Sequence, residues 1–308
     1  MEQITLGRTS LQVTVAGLGC GGFSRLGIGT NGLDHAASVV RTAYGEGINF
    51  FDTATAYGTQ SAVGKGLEGI PRDKYILSTK FPYKDKGPED LRKALEESLR
   101  ELKTDYIDIY HLHGVDTADY PFVRDTFVPV MRKAKQEGKI RFMGITELFG
   151  RDTSHDMLRA SLPEDLFDVI MVGYNMLNPS AEKTILPMAR EKNVGVLCMF
   201  AVRTALSNPK QLRIDIGHIL DHGQADPAVV KLDNTLDFLT EEKAADSIME
   251  AAYRFCRHTR GIHVVLTGTG NINHLRDNIA SILKPELPKD VLRRLDEMFG
   301  GVDCVSGQ

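Results

Sequence analysis

The sequence predicts an α/β fold, a (β/α)8 TIM barrel with an N-terminal β-hairpin and an extra C-terminal helix. Three observations carry that expectation. Eight short apolar runs recur along the 308 residues, most are followed by an amphipathic stretch, and the runs read as continuously apolar instead of alternating. Strands buried on both faces and separated by helices make a parallel sheet covered by helices, and eight of them suggest closure. An open doubly wound sheet would expect a glycine fingerprint after its first strand, and "GLGCGG" does not satisfy G-x-G-x-x-G before a helix.

Taken in order, "QITLGRTSLQVTVAGLG" alternates on both sides of a Gly-Arg-Thr-Ser turn, which predicts a hairpin over residues 3–14 that closes one end of the barrel. The barrel strands are expected in "VAGLGC", "INFF", "YILSTK", "YIDIYHLH", "IRFMGIT", "DVIMV", "VGVLCMF" and "VVLTG". Between them, "GPEDLRKALEESLRELK" puts Leu91, Leu95, Leu99 and Leu102 on one helical face with acids in the first turn. "EEKAADSIMEAAYRFCRH" aligns Ala244, Ile248, Ala251 and Phe255 in the same way, and Gly45 and Gly47 mark a helix end after "HAASVVRTAY". The stretch over residues 203–240 is a long excursion after the seventh strand, and "PKDVLRRLDEMFG" is one helix more than the barrel needs. No linker or internal repeat interrupts residues 1–308, so a single barrel domain is expected.

Composition narrows the function classes. A 42% hydrophobic content allows a large core, and a formal charge of −4 offers no general attraction for nucleic acid or an anionic membrane. Four dispersed cysteines without a CxxC pair suit reduced thiols, and no apolar run has the length of a signal or membrane segment. A cytoplasmic protein, monomeric or weakly self-associating, with a small-molecule substrate is expected.

The candidate chemistry lies at strand ends. In such a barrel the active site forms at the C-terminal ends of the strands. Asp52 ends the second strand, Lys80 the third and His113 the fourth, and Tyr57 follows in the loop after the second. Singly, each has an ordinary structural explanation; four at matching ends of neighbouring strands do not. Reducing a carbonyl by hydride transfer needs a proton donor to the developing alkoxide. A free phenol near ~10 is a poor donor or base at neutral pH, and a nearby ammonium favours the phenolate. Asp52 would keep Lys80 charged and in place, Lys80 would tune Tyr57, and His113 would orient the carbonyl oxygen. On this reading Lys80→Met cripples the chemical step with little loss of stability.

"GINFFDTATAYG", followed by "STK" and "YIDIYHLHG", resembles the aldo-keto reductase family, and the likeness runs from the opening hairpin to "LTGTGNINHLRDNI". The resemblance implies that Asp52, Tyr57, Lys80 and His113 form a catalytic tetrad. It implies a nicotinamide dinucleotide, NADP(H) with NAD(H) or dual use open, and a carbonyl or sugar substrate. The implied cofactor positions begin at Gly21. Thr146, Glu147 and Met171 replace the usual Ser, Asn and Gln of the carboxamide clamp, where a carboxylate accepts but cannot donate; Asn175 is a nearby substitute. Met199, or Phe200 one place on, lies where a ring stacks under the nicotinamide, and Ala201, Val202 and Arg203 would wrap the pyrophosphate. Gly268, Thr269, Gly270, His274 and Asn278 would receive the adenosine end, with Gly268 and His274 where a Lys or Arg usually meets the 2′-phosphate and Arg276 as a further cation. Phe23, Phe81 and Phe149 are the expected substrate walls.

Two other classes fit parts of the pattern. A metal-dependent barrel hydrolase can use an HxH pair such as His111 and His113, but it needs about three ligands. His155, His218, His222 and His263 do not fall at strand ends, so no metal is assigned. A regulatory barrel that binds nucleotide without turnover would fit the altered clamp.

Overall fold

The computed structural model describes residues 1–308. Strands β1 (Gln3–Thr5) and β2 (Gln12–Thr14) form the antiparallel hairpin, with Ile4 opposite Val13. The eight barrel strands are β3 (Ala16–Gly19), β4 (Phe50–Asp52), β5 (Ile76–Pro82), β6 (Ile107–Val115), β7 (Ile140–Glu147), β8 (Val169–Gly173), β9 (Gly195–Met199) and β10 (Val264–Thr267). They pair in parallel in chain order, and β10 returns to β3 to close the barrel. All eight strands lie where the apolar runs placed them.

The hairpin plugs the N-terminal end of the barrel. Leu6, Leu11 and Val13 pack against the inward residues Phe50, Ile76, Ile109, Val169, Leu197 and Val264. Each such buried side chain contributes about 1.5–3 kcal/mol. Gly7 (φ +49°) lets the turn press on the barrel: a Cβ there would lie 2.4 Å from Gly195 N, and Arg8 N donates to Asn193 O.

The helices follow their sequence signals with one shift. The helix Pro88–Leu102 buries Leu91, Leu95, Leu99 and Leu102 and carries Pro88 at its first position, where a missing N–H costs nothing. The helix expected from residue 241 instead starts at Ile248, because the Ser247 side chain accepts from Glu250 N and caps it. Ala244 therefore lies outside the helical face assigned to it.

The excursion is explained by the tail. Helix Pro209–Asp221 and the short helix Phe238–Glu241 bury Ile216, Ile219, Phe238 and Leu239 against Leu295, Met298 and Phe299 of the final helix, Lys289–Phe299. The two irregular segments form a second small core beside the barrel. No helix is long and apolar enough to cross a membrane.

Candidate active site

Strand pleating decides which side chains meet. Successive residues on a strand face opposite ways, so Ser78 and Lys80 of β5 share the inner face while Thr79 and Phe81 point outward. The register sets Asp52 beside Ser78, Lys80 beside His111 and Pro82 beside His113. Lys80 is fully buried and donates to Asp52 Oδ2 (2.5 Å) and Thr53 O (2.7 Å). Ser78 Oγ donates to Asp52 Oδ1 (2.7 Å) and lies 3.1 Å from His111 Nε2, which is then the protonated nitrogen. His111 Nδ1 is buried without a partner. Gly144 makes room for that ring, since a Cβ there would lie 2.2 Å from Nδ1.

Tyr57 ends a 3₁₀ turn, Thr55–Tyr57, that Gly58 closes at φ +68°. The loop is fastened by Thr55 Oγ1 donating to Lys80 O and by the Thr53–Thr59 hydroxyl contact. Tyr57 Oη lies 3.3 Å from His113 Nε2, and Lys80 Nζ sits 5.0 Å from the phenol ring centre. Gly21 lets the ring lie there: a Cβ at that position would come within 2.5 Å of it. Beside His113, β6 breaks register between Leu112 and Val115 and Gly114 turns at φ +60°. Gly114 N donates to Thr146 Oγ1, so Thr146 holds that irregularity in place.

The electrostatics are those of a buried ion pair. Burial opposes the Lys80 ammonium but is more than offset by Asp52 and Tyr57, so its pKa is raised and the lysine is charged. Burial pushes the Asp52 carboxyl up, and Lys80 and Ser78 pull it back. For Tyr57, burial raises the phenol and Lys80 lowers it, with burial the larger effect. The sequence predicts a phenol lowered by Lys80; burial outweighs that effect. His113 is held neutral, lowered to about 3, by burial first and then by Lys80.

A groove leads from Tyr57 and Asp52 across the strand ends to β10. Its walls include Gly21, Phe23, Met171, Met199, Phe200, Val202, Arg203 and Gly268 of the expected residues. Phe23 is 80% exposed and lies under the Arg203 guanidinium, which also covers Phe200 at 4.1 Å. Arg203 Nε is buried without a partner. Sequence reasoning missed Ser24, Ser207, Tyr253 and Thr267 on these walls. Tyr253 Oη meets Thr267 Oγ1 at 2.9 Å, and Asn278 Nδ2 donates to the same oxygen. Tyr253 lies off the helical face that Ala251 and Phe255 share, so the helical period put no mark on it.

Several expected residues lie elsewhere. Phe81 points out of the barrel onto Phe127, as pleating requires once Lys80 points in. Phe149 is buried, stacked on His155 and edge-on to Phe200, so it braces the wall without lining it. Glu147 is turned into the protein, where both oxygens meet His155 Nδ1 and one accepts Gly173 N at 2.6 Å. Asn175 is also committed, donating to Ser306 O and accepting from Leu177 N. Ala201 is buried behind the groove. At the adenosine end, Asn271 Oδ1 caps the next helix by accepting from Asn273 N and His274 N, which uses amides expected to face a phosphate. Thr269 Oγ1 accepts Asn271 N, His35 Nε2 donates to Gly270 O, and Arg276 is paired with Glu46; His274 is exposed. His111 and His113 meet Ser78 and Tyr57, and Asp52 is taken by Lys80 and Ser78, so the HxH pair shares no metal-ligand set with it.

A fixed Asp–Lys pair under a half-buried tyrosine and a neutral histidine thus stands at the C-terminal mouth of a closed barrel. Residues 17–299 match the model of the aldo/keto reductase family. The chain belongs to that family. L-galactose dehydrogenase of Arabidopsis thaliana is 30% identical over 300 residues, 93% of this chain and 89% of that protein. The NADH-specific methylglyoxal reductase of Escherichia coli K12 is 28% identical over 219 residues, 64% of this chain and 66% of that one. An aldo/keto reductase from Klebsiella pneumoniae, solved with NADP and acetate, superposes with a TM-score of 0.72 at 21% identity over 99% of this chain and 98% of that one. As a family member the chain is an oxidoreductase.

Proposed function

We propose that this protein moves a hydride between a nicotinamide dinucleotide and a small carbonyl–alcohol pair, with Tyr57 as general acid and base. The observation that carries it is the buried Lys80 ammonium, fixed by hydrogen bonds to Asp52 Oδ2 and Thr53 O and set 5.0 Å from the Tyr57 ring centre. When bound, the nicotinamide supplies or takes up the hydride. Tyr57 gives its hydroxyl proton to the carbonyl oxygen, and the neutral His113 donates Nε2–H to the same atom. Lys80 favours the phenolate that remains, and Asp52 keeps Lys80 from losing its proton. In the oxidative direction the phenolate takes the alcohol proton back.

The groove suits a dinucleotide. Arg203, with its unpartnered Nε and its guanidinium spread over Phe200, is a cation placed for a pyrophosphate. Met171 and Met199 line the inner end, where they offer apolar contact and no carboxamide clamp. NADP(H) is the proposed coenzyme, with only a modest advantage over NAD(H): Gly268 has no side chain, His274 is exposed and Arg276 is engaged with Glu46. The substrate class is a small aldehyde, ketone or aldose. The similarity to L-galactose dehydrogenase supports an aldose, and that to methylglyoxal reductase a small reactive carbonyl.

Fluorescence titration with the four nicotinamide forms, followed by turnover on aldehydes and aldoses, tests this. Binding of NADP(H) somewhat tighter than NAD(H), with turnover on at least one substrate class, is expected. Binding without turnover across the panel would replace the enzyme by a nucleotide-binding barrel.

A further inference from the structure

The excursion and the tail, which fold against each other beside the barrel, bring together a second chemically distinct set of side chains. His218 and His222 are four residues apart at the C-terminal end of helix Pro209–Asp221, with ring centres 4.0 Å apart. Cys304 reaches them from the tail. One donor atom from each of these three lies within 4.8 Å of the others. The three come from segments distant in sequence, and no step of the proposed oxidoreductase chemistry uses them.

The surroundings prepare the set for a cation. His222 Nδ1 donates to His218 O at 2.8 Å, which leaves the Nε2 lone pair as the ligating one, in the manner of histidines fixed behind a metal. Gln224 Oε1 accepts from the backbone N–H groups of Asp303 and Cys304, and Gln224 Nε2 donates to Asp303 Oδ1, so the thiol is set in place by both segments. Asp215 lies one turn before His218 on the same helix face. It is 7% exposed, Oδ1 accepts from Gln211, and Oδ2 is buried without a partner. A buried carboxylate oxygen without a donor is costly unless a cation or a cation-bound imidazole answers it.

We propose that His218, His222 and Cys304 bind one divalent transition-metal ion of the zinc class, with Asp215 as the residue that positions it. Imidazole and thiolate donors select zinc among the common divalent ions, and three protein ligands with a fourth place for water complete a tetrahedron. As the metal–sulfur bond forms, the Cys304 S–H proton leaves to solvent. The ion would clamp the tail to the excursion. The tail residues that follow are anchored at the barrel mouth: Asn178 Nδ2 donates to Val305 O, Asn175 Nδ2 to Ser306 O, and Ala205 N to Gly307 O, next to the groove residues Arg203 and Thr204. Metal occupancy therefore bears on the rigidity of that wall.

The test uses the whole metal-stripped protein, titrated with zinc against a competing chelator and, separately, with cobalt(II). One equivalent bound tighter than about 1 μM, about one proton released, and a thiolate-to-cobalt charge-transfer band are expected. Cys304→Ser should abolish the band and weaken zinc by more than about 100-fold, with His218→Ala and His222→Ala similar and Asp215→Asn near ~10-fold. Zinc should also slow hydrogen exchange in residues 300–308. If the wild type shows no thiolate band, or if Cys304→Ser binds zinc as tightly as wild type, the histidines act as an ordinary surface pair and the proposal is overturned.

Discussion

Lys80 Nζ lies 2.5 Å from Asp52 Oδ2, with both side chains sealed from water and Ser78 holding the other carboxylate oxygen. This pair sets the cost of any change at the site. Lys80→Met leaves the Asp52 charge buried with one hydroxyl for company, which costs about 3–5 kcal/mol. The small stability loss that the sequence suggests is thus corrected: urea unfolding at pH 7 should show a clear drop, and Asp52→Asn added to Lys80→Met should restore part of it. A variant as stable as wild type would mean that the pair is not charged.

Glu147 offers a test that separates packing from cofactor binding. Its carboxylate holds the buried His155 and Gly173 N. Glu147→Ala should lower stability by about 3 kcal/mol or more while leaving the NADPH dissociation constant within about twofold. Coenzyme affinity that falls with stability intact would restore Glu147 to the carboxamide clamp.

The depressed pKa of His113 makes stability depend on pH. Burial, then Lys80, lowers it to about 3 in the folded protein, and an unfolded histidine titrates near ~6.5. Between those values the unfolded chain binds more protons, so this contribution is complete above ~6.5 and is lost as pH falls toward 3. His111 is shifted in the same direction, whereas the raised carboxyls of Asp52 and Glu147 act in the opposite sense. The comparison is therefore made against His113→Asn. From pH 7 to pH 5 the wild type should lose about 2 kcal/mol more than the variant. Equal losses would mean that His113 is protonated in the fold.

Much of this arrangement is legible in the sequence, because it follows from strand periodicity. The run ending in Asp52, the "STK" of Lys80 and the "HLH" of His113 place three side chains at neighbouring strand ends, and the register brings them together. The same periodicity, applied one residue further, would have turned Phe81 outward. The role of Glu147 is hidden for a different reason. Its partner His155 stands eight residues on at φ +65°, a turn that no local pattern announces, and the strand ends near it gave only an acid facing an expected cofactor. Tyr253 and Thr267 reach the groove through packing between a helix and a distant strand, and the excursion makes sense only once the tail is seen against it. Contacts between segments far apart in sequence leave no periodic mark.

The central claim is that the Tyr57 hydroxyl supplies the proton in the hydride-transfer step. The most direct measurement is single-turnover oxidation of bound NADPH, followed by stopped-flow absorbance, with wild type and Tyr57→Phe and the substrate identified by the turnover panel. In Tyr57→Phe the chemical step should slow by at least about 100-fold while the NADPH dissociation constant and thermal midpoint stay near wild type. A Tyr57→Phe enzyme that oxidises bound NADPH at the wild-type rate would contradict the central claim.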